Sequence, residues 1–146
     1  MDNNEVNEWM LLIDIELAKL DKSGFGYKRV RENLPDYLKY MGTVREEVLE
    51  FIADEMSREN PFYPNSGRQK VTDEVMQRSM EFGMKVELMR MEKPHLSVKE
   101  QIIPMIAKEA GMSKSTIWQD YNKRVGPIII TAMNRASEIT AKDNPE

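Results

Sequence analysis

The chain of 146 residues contains no cysteine, which excludes disulfides, thiol catalysis and cysteine-bound zinc, and fits a cytoplasmic setting. Histidine is nearly absent as well. His95 stands alone in KPHLS, with no second His or Cys to complete a metal cluster, and reads as a loop residue. No glycine-rich phosphate loop follows a strand. Asp14 with Glu16, and Glu46, Glu47 and Glu50, lie on helical patterns amid basic residues, where solvated faces explain them better than acid–base work. These absences point away from an enzyme, and no cofactor or metal is expected. No apolar run approaches the roughly 20 residues of a membrane span, and the opening MDNNEVNEW lacks the basic and apolar regions of a signal peptide, so no membrane partner is expected.

An overall excess of positive charge is missing too. The net charge is -4, but residues 1–95 carry 14 basic and 19 acidic side chains, whereas residues 96–146 carry 7 and 6. Any nucleic-acid contact therefore has to come from a local patch in the later part, with the acidic remainder turned away from phosphates.

What is present is helical periodicity, with no strand pattern apart from the ambiguous PIIIT. Val6, Trp9, Met10, Ile13, Leu17 and Leu20 recur at three and four and predict a first helix over 5–20. SGFG breaks it, and Pro35 and Gly42 bracket a short helix over 35–41. TVRE at 43–46 has the form of a capping box opening a third helix with Val44, Val48, Leu49, Phe51, Ile52 and Met56 on its apolar face. ENPFYPNSGRQK is the one substantial loop. Val75, Met76, Met80, Met84, Leu88 and Met91 stripe a long helix over 72–91, where methionine at helical spacing is core filler. SVKE at 97–100 is a second capping box, followed by a fresh helix from Pro104. After GP at 126–127, Ile128, Ile129, Ala132, Met133, Ala136 and Ile139 describe a last amphipathic helix.

The stretch AKEAGMSKSTIWQDYNKR, residues 107–124, differs from its surroundings. Ile106, Ala107 and Ala110 would form the inner face of one helix, Gly111 would take a turn conformation that a side chain resists, and Met112 and Ile117 would plug the junction. Ser113 is placed to cap the second helix. With Ile117 and Tyr121 inward, Ser113, Lys114, Ser115, Trp118, Gln119 and Asn122 face outward. Gln and Asn can pair with adenine in the major groove, Ser113, Ser115 and Thr116 can reach bases or phosphates, and Lys114, Lys123 and Arg124 can neutralise phosphates. Asp120 stands against this, since a carboxylate near phosphates is repelled.

IAKEAGMSKSTIWQDYNKR resembles the helix-turn-helix of bacterial transcription regulators, and most closely the segment of TetR-type repressors, over about 20 residues near the C-terminus. In layout, the acidic helical first half, the loop NPFYPNSGR and the C-terminal motif resemble phage activators of the Mor type. That resemblance implies a dimer that reads a paired site on double-stranded DNA, in a phage or mobile-element setting. The expectation is an all-α helical bundle: an acidic N-terminal half, 1–95, for dimerisation or protein contact, and a helix-turn-helix region, 96–146, for DNA. A protein–protein adaptor or inhibitor using the same scaffold, and an accessory factor in replication or packaging, stand as the competing classes.

Overall fold

The computed structural model describes residues 3–20, 24–64, 73–122 and 126–143. Helix α1 (Asn3–Leu20) is exposed or half-buried in its first half and buried on every face in its second, where every residue from Leu11 to Ala18 is buried and all but Asp14 and Glu16 are apolar. A helix apolar all round belongs inside a bundle. Val6, expected on the buried face, is 40% exposed. The two acids caught in the buried run are neutralised locally. Arg29 Nε and Asn33 Nδ2 donate to Asp14 at 2.8 and 3.0 Å, and Glu16 pairs with Lys19 at 3.3 Å and Arg135 at 3.6 Å. Burial still outweighs the Arg29 charge and holds the Asp14 carboxyl above the ordinary carboxylate range.

Helix α2 runs from Phe25 to Tyr40, which corrects the expected short helix over 35–41. Pro35 lies inside it, on its exposed side, where one missing N–H is tolerated. Near its start α2 touches α1 backbone to backbone, because Gly26 faces Leu17 and Ala18 with no room for a Cβ. Helix α3 (Glu46–Met56) packs on α1 and buries Val48 and Phe51. The TVRE capping box is not made: the N-cap is Arg45, with no side-chain cap. Its guanidinium instead bridges Glu8 at 2.7 Å and Asp143, while its N–H donates to the Tyr37 hydroxyl at 3.2 Å. These acceptors, Asp143 first, push its pKa above the ordinary arginine value. After α3 the buried Glu55 accepts from the Phe62 N–H at 2.9 Å and the Tyr27 hydroxyl at 3.1 Å, fixing the turn through 57–64.

Helix α4 (Asp73–Glu92) buries Met76, Ser79, Met80, Phe82, Val86 and Glu87. The expected stripe is correct for Met76 and Met80 but not for Leu88 and Met91, which are exposed. Then come a π turn (Val98–Ile102), α5 (Ile103–Ala110), α6 (Lys114–Asn122) and α7 (Gly126–Ala141). The described residues are all-helical, with no strand among them.

The chain forms two compact units: Met1–Lys70 with Ala132–Glu146, and Val71–Thr131. The division expected at 95/96 thus differs from the observed one, because α4 packs with α5, α6 and the π turn. GP at 126–127 opens α7 rather than merely ending what precedes it, and Ile129, Ala132, Met133 and Ala136 are its buried residues.

Candidate functional site

Residues 107–122 of the stretch AKEAGMSKSTIWQDYNKR lie within a three-helix arrangement of α4, α5 and α6. The local geometry begins at the π turn that leads into α5. Ser97 Oγ accepts from the Glu100 N–H at 3.3 Å, as SVKE predicts. The reciprocal arm comes from Gln101, whose Oε1 accepts from the Ser97 N–H at 2.7 Å. The turn is wide, with Ile102 N–H bonded to the Ser97 carbonyl at 3.0 Å. Pro104, which has no N–H to continue such a ladder, stands in the first turn of the regular helix α5.

Helix α5 ends in a Schellman turn. Met112 N–H donates to the Ala107 carbonyl at 3.0 Å and Gly111 N–H to the Lys108 carbonyl at 3.3 Å. Gly111 has φ 67 and ψ 31, the left-handed conformation. Ser113 then caps α6, accepting from the Thr116 N–H at 3.2 Å. Ile117 enters an apolar cluster of Phe82, Val86, Ile102, Ile103, Ile106 and Ala107, with Met112, Trp118 and Tyr121 packed against it. Ala110, expected on the inner face, is exposed.

Two polar clamps set the rotation of α6 on α4. Arg78 Nε donates to Asp120 Oδ2 at 2.8 Å, and the Asp120 side chain is fully buried. Tyr121 Oη donates to Glu87 Oε1 at 2.8 Å, while Arg90 holds the other Glu87 oxygen. Burial, reinforced by the Glu87 carboxylate, pushes the Tyr121 phenol up to about 12, so it remains a neutral donor. Asp120 counts against DNA binding in the sequence, as a carboxylate where an apolar residue is commoner and near phosphates that would repel it. It lies instead on the inward face, and the signal for this was its spacing of three from Ile117 and one from Tyr121. Nothing in the local pattern points to Arg78, 42 residues earlier, as its partner.

With α6 rotated in this way, Ser115, Gln119 and Asn122 are exposed and Trp118 is half-buried at the edge of the same face. Their spacing of three, four and seven makes one outward stripe. Lys114 is exposed beside it. Trp118, about 100° round the helix from the buried Ile117, stands at the boundary of this face rather than squarely outward: its ring leans on the apolar cluster, stands 6.1 Å from Tyr121, and carries Lys99 Nζ at 5.5 Å. Lys99 was missed in the sequence, since it precedes the motif by a full helix. Ser113 and Thr116 are occupied with each other, their hydroxyls 2.8 Å apart, and Thr116 is half-buried. Lys123 and Arg124 lie outside the described residues.

Among the described residues no group of three or more His, Asp or Glu is placed to hold a metal ion. No helix among them is long and apolar enough to cross a membrane. Comparison with protein-family models, with curated proteins and with solved structures returns no match.

Proposed function

We propose that the protein is a sequence-specific DNA-binding regulator of transcription, using α5 and α6 as a helix-turn-helix and acting as a homodimer on a paired site, in a phage or mobile-element setting. The observation that supports this best is the outward stripe of Ser115, Trp118, Gln119 and Asn122 on a short helix whose opposite face is locked by Ile117, Asp120 and Tyr121. Gln119 and Asn122 have the donor–acceptor pairs that match adenine in the major groove, and Lys114 and Lys99 supply charge for phosphates. The Gly111 turn and the Ser113 cap give α6 a defined exit from α5, as docking a helix in a groove requires. The rest of the acidic chain argues for two-fold pairing, because one small motif offers little contact for specific binding and a dimer doubles it.

Selection from a random duplex pool, followed by titration of variants on the selected and on unrelated DNA, tests the proposal. Gln119→Ala and Asn122→Ala are expected to lose about 1 to 3 kcal/mol each on the selected site and little on unrelated DNA. Lys114→Ala is expected to weaken both and lower the salt slope by about one. Failure to enrich any sequence, or equal losses on both DNAs for all three variants, would count against base reading by α6. Sedimentation of the full chain checks the dimer, which a monomer at micromolar concentration, on and off DNA, would overturn.

A further inference from the structure

The outward face of α3 plays no part in the α5–α6 stretch, and its composition calls for a separate explanation. Leu49 is 51% and Met56 65% exposed, with Ile52 half-buried and Ala53 exposed between them. The four fall at i, i+3, i+4 and i+7, one continuous apolar row about two turns long. The opposite face of the same helix is already buried through Val48, Phe51 and Glu55. Beside the apolar row runs a second, Glu46, Glu50 and Asp54, spaced by four and all exposed. Among the described residues none of these three carboxylates has a cationic partner. Glu46 also serves the positive end of the helix, but Glu50 and Asp54 lie beyond its first turn and gain little there.

We infer that this face of α3 docks a partner protein through a basic amphipathic helix, its apolar residues meeting Leu49, Ile52 and Met56 and its Lys or Arg side chains meeting Glu46, Glu50 and Asp54. Apolar anchors at this spacing are what one helix offers another, and the row of acids on one flank sets both the sign of the partner and its side. A second copy of this chain fits worse. Antiparallel two-fold pairing of α3 would bring the two acidic rows side by side, and like charges so placed repel. The inference does not rest on the DNA proposal, and its test involves no DNA.

The probe is a labelled synthetic Leu/Lys amphipathic peptide of about 18 residues, long enough to form a helix on a surface, with a Leu/Glu peptide of the same pattern as counterpart. Binding to the full chain is read by fluorescence anisotropy. The Leu/Lys peptide is expected to bind and the Leu/Glu peptide not. Leu49→Ala with Met56→Ala is expected to weaken binding about tenfold or more, as loss of anchor residues does. Glu50→Lys with Asp54→Lys is expected to weaken it similarly and to remove most of its salt dependence. Glu81→Lys with Glu92→Lys, the same charge change on exposed positions of α4, is expected to leave it within about twofold. Equal weakening by both acidic pairs would reduce the effect to net charge and overturn the inference. So would unchanged binding in the Leu49/Met56 variant, or a dimer that Leu49→Arg turns to monomer, which would assign the face to a second copy. Circular dichroism melts of each variant confirm that a folded chain is being compared.

Discussion

A Cβ built on Gly26 would stand 2.2 Å from the Ala18 backbone nitrogen, whereas one built on Gly111 would meet nothing within 4 Å. Gly26 is in an ordinary helical position and is required for space; Gly111, at φ 67, is required for conformation. The contrast reflects how the two regions are built. In the α1–α2 pair the helices approach until backbones touch, and α1 is buried over eight consecutive residues. In the α5–α6 pair the chain reverses at an open turn, and α6 has only Ile117 and Asp120 fully buried among nine residues. One region uses its surfaces for a core; the other keeps a face free.

Substituting the two glycines tests that contrast most sharply. Gly26→Ala is expected to cost about 3 kcal/mol or more, because the clash is with backbone that cannot rotate away. Gly111→Ala is expected to cost about 1 kcal/mol, the left-handed strain partly offset by a less flexible unfolded chain. Gly111→Asn should recover part of that. Urea unfolding of the three variants measures the difference, and similar losses for Gly26→Ala and Gly111→Ala would remove the distinction.

The clamp on α6 ranks next. Arg78→Met keeps the aliphatic stem but takes the guanidinium from the buried Asp120 carboxylate, and is expected to cost roughly 1 to 3 kcal/mol, the range for a hydrogen bond to a charged group. Arg78 is itself 32% exposed, so water reaches its side of the pair and the lower part of that range is expected. Asp120→Asn should cost less, since an amide is cheaper to bury than a carboxylate. If Arg78→Met is as stable as the parent by urea unfolding, the pair does not hold α6 in place.

Much of this fold was legible in the sequence wherever local chemistry decides it. The 3.6-residue period placed α1 and α7, Pro104 marked the start of α5, and Gly111 and Ser113 located the turn and cap. What was missed depends on partners far along the chain. Pro35 looked like a helix start because the ten residues before it, FGYKRVRENL, mix charge with a glycine. Only the packing of Gly26, Val30 and Leu34 against the rest makes them one helix with Pro35 inside. TVRE matches the capping pattern, but Arg45 is drawn to Glu8 and Asp143, and the helix starts from it instead. The boundary at 95 followed a small shift in charge, whereas α4 joins the later helices through Phe82 and Val86. At the candidate site the outward placement of Ser115, Gln119 and Asn122 followed from the period. The inward turn of Asp120 follows from the same period, three residues after Ile117 and one before Tyr121.

The smallest expected effect concerns the second clamp, between Tyr121 and Glu87. Its phenol titrates near 10 when unfolded and at about 12 in the folded chain, because burial and the Glu87 carboxylate both disfavour the phenolate. A folded pKa raised above the unfolded one means that the folded state holds this proton more tightly. The stability it contributes is therefore complete below pH 10 and lost as pH rises through 12. Tyr27 and Tyr37 are shifted upward as well, each chiefly by burial, so the parent should lose stability steeply over that alkaline window. Tyr121→Phe deletes one of the three titrations. At neutral pH it is expected to cost about 1 kcal/mol, one hydrogen bond to a charged acceptor, with the Arg90 contact left to satisfy Glu87. Between pH 10 and 12 the variant should fall off less steeply than the parent. Thermal melts followed by far-ultraviolet circular dichroism at a series of pH values give both slopes. Parallel slopes would mean that Tyr121 is not held by Glu87, leaving Arg78 and Asp120 as the polar contact that sets the rotation of α6 and with it the outward stripe.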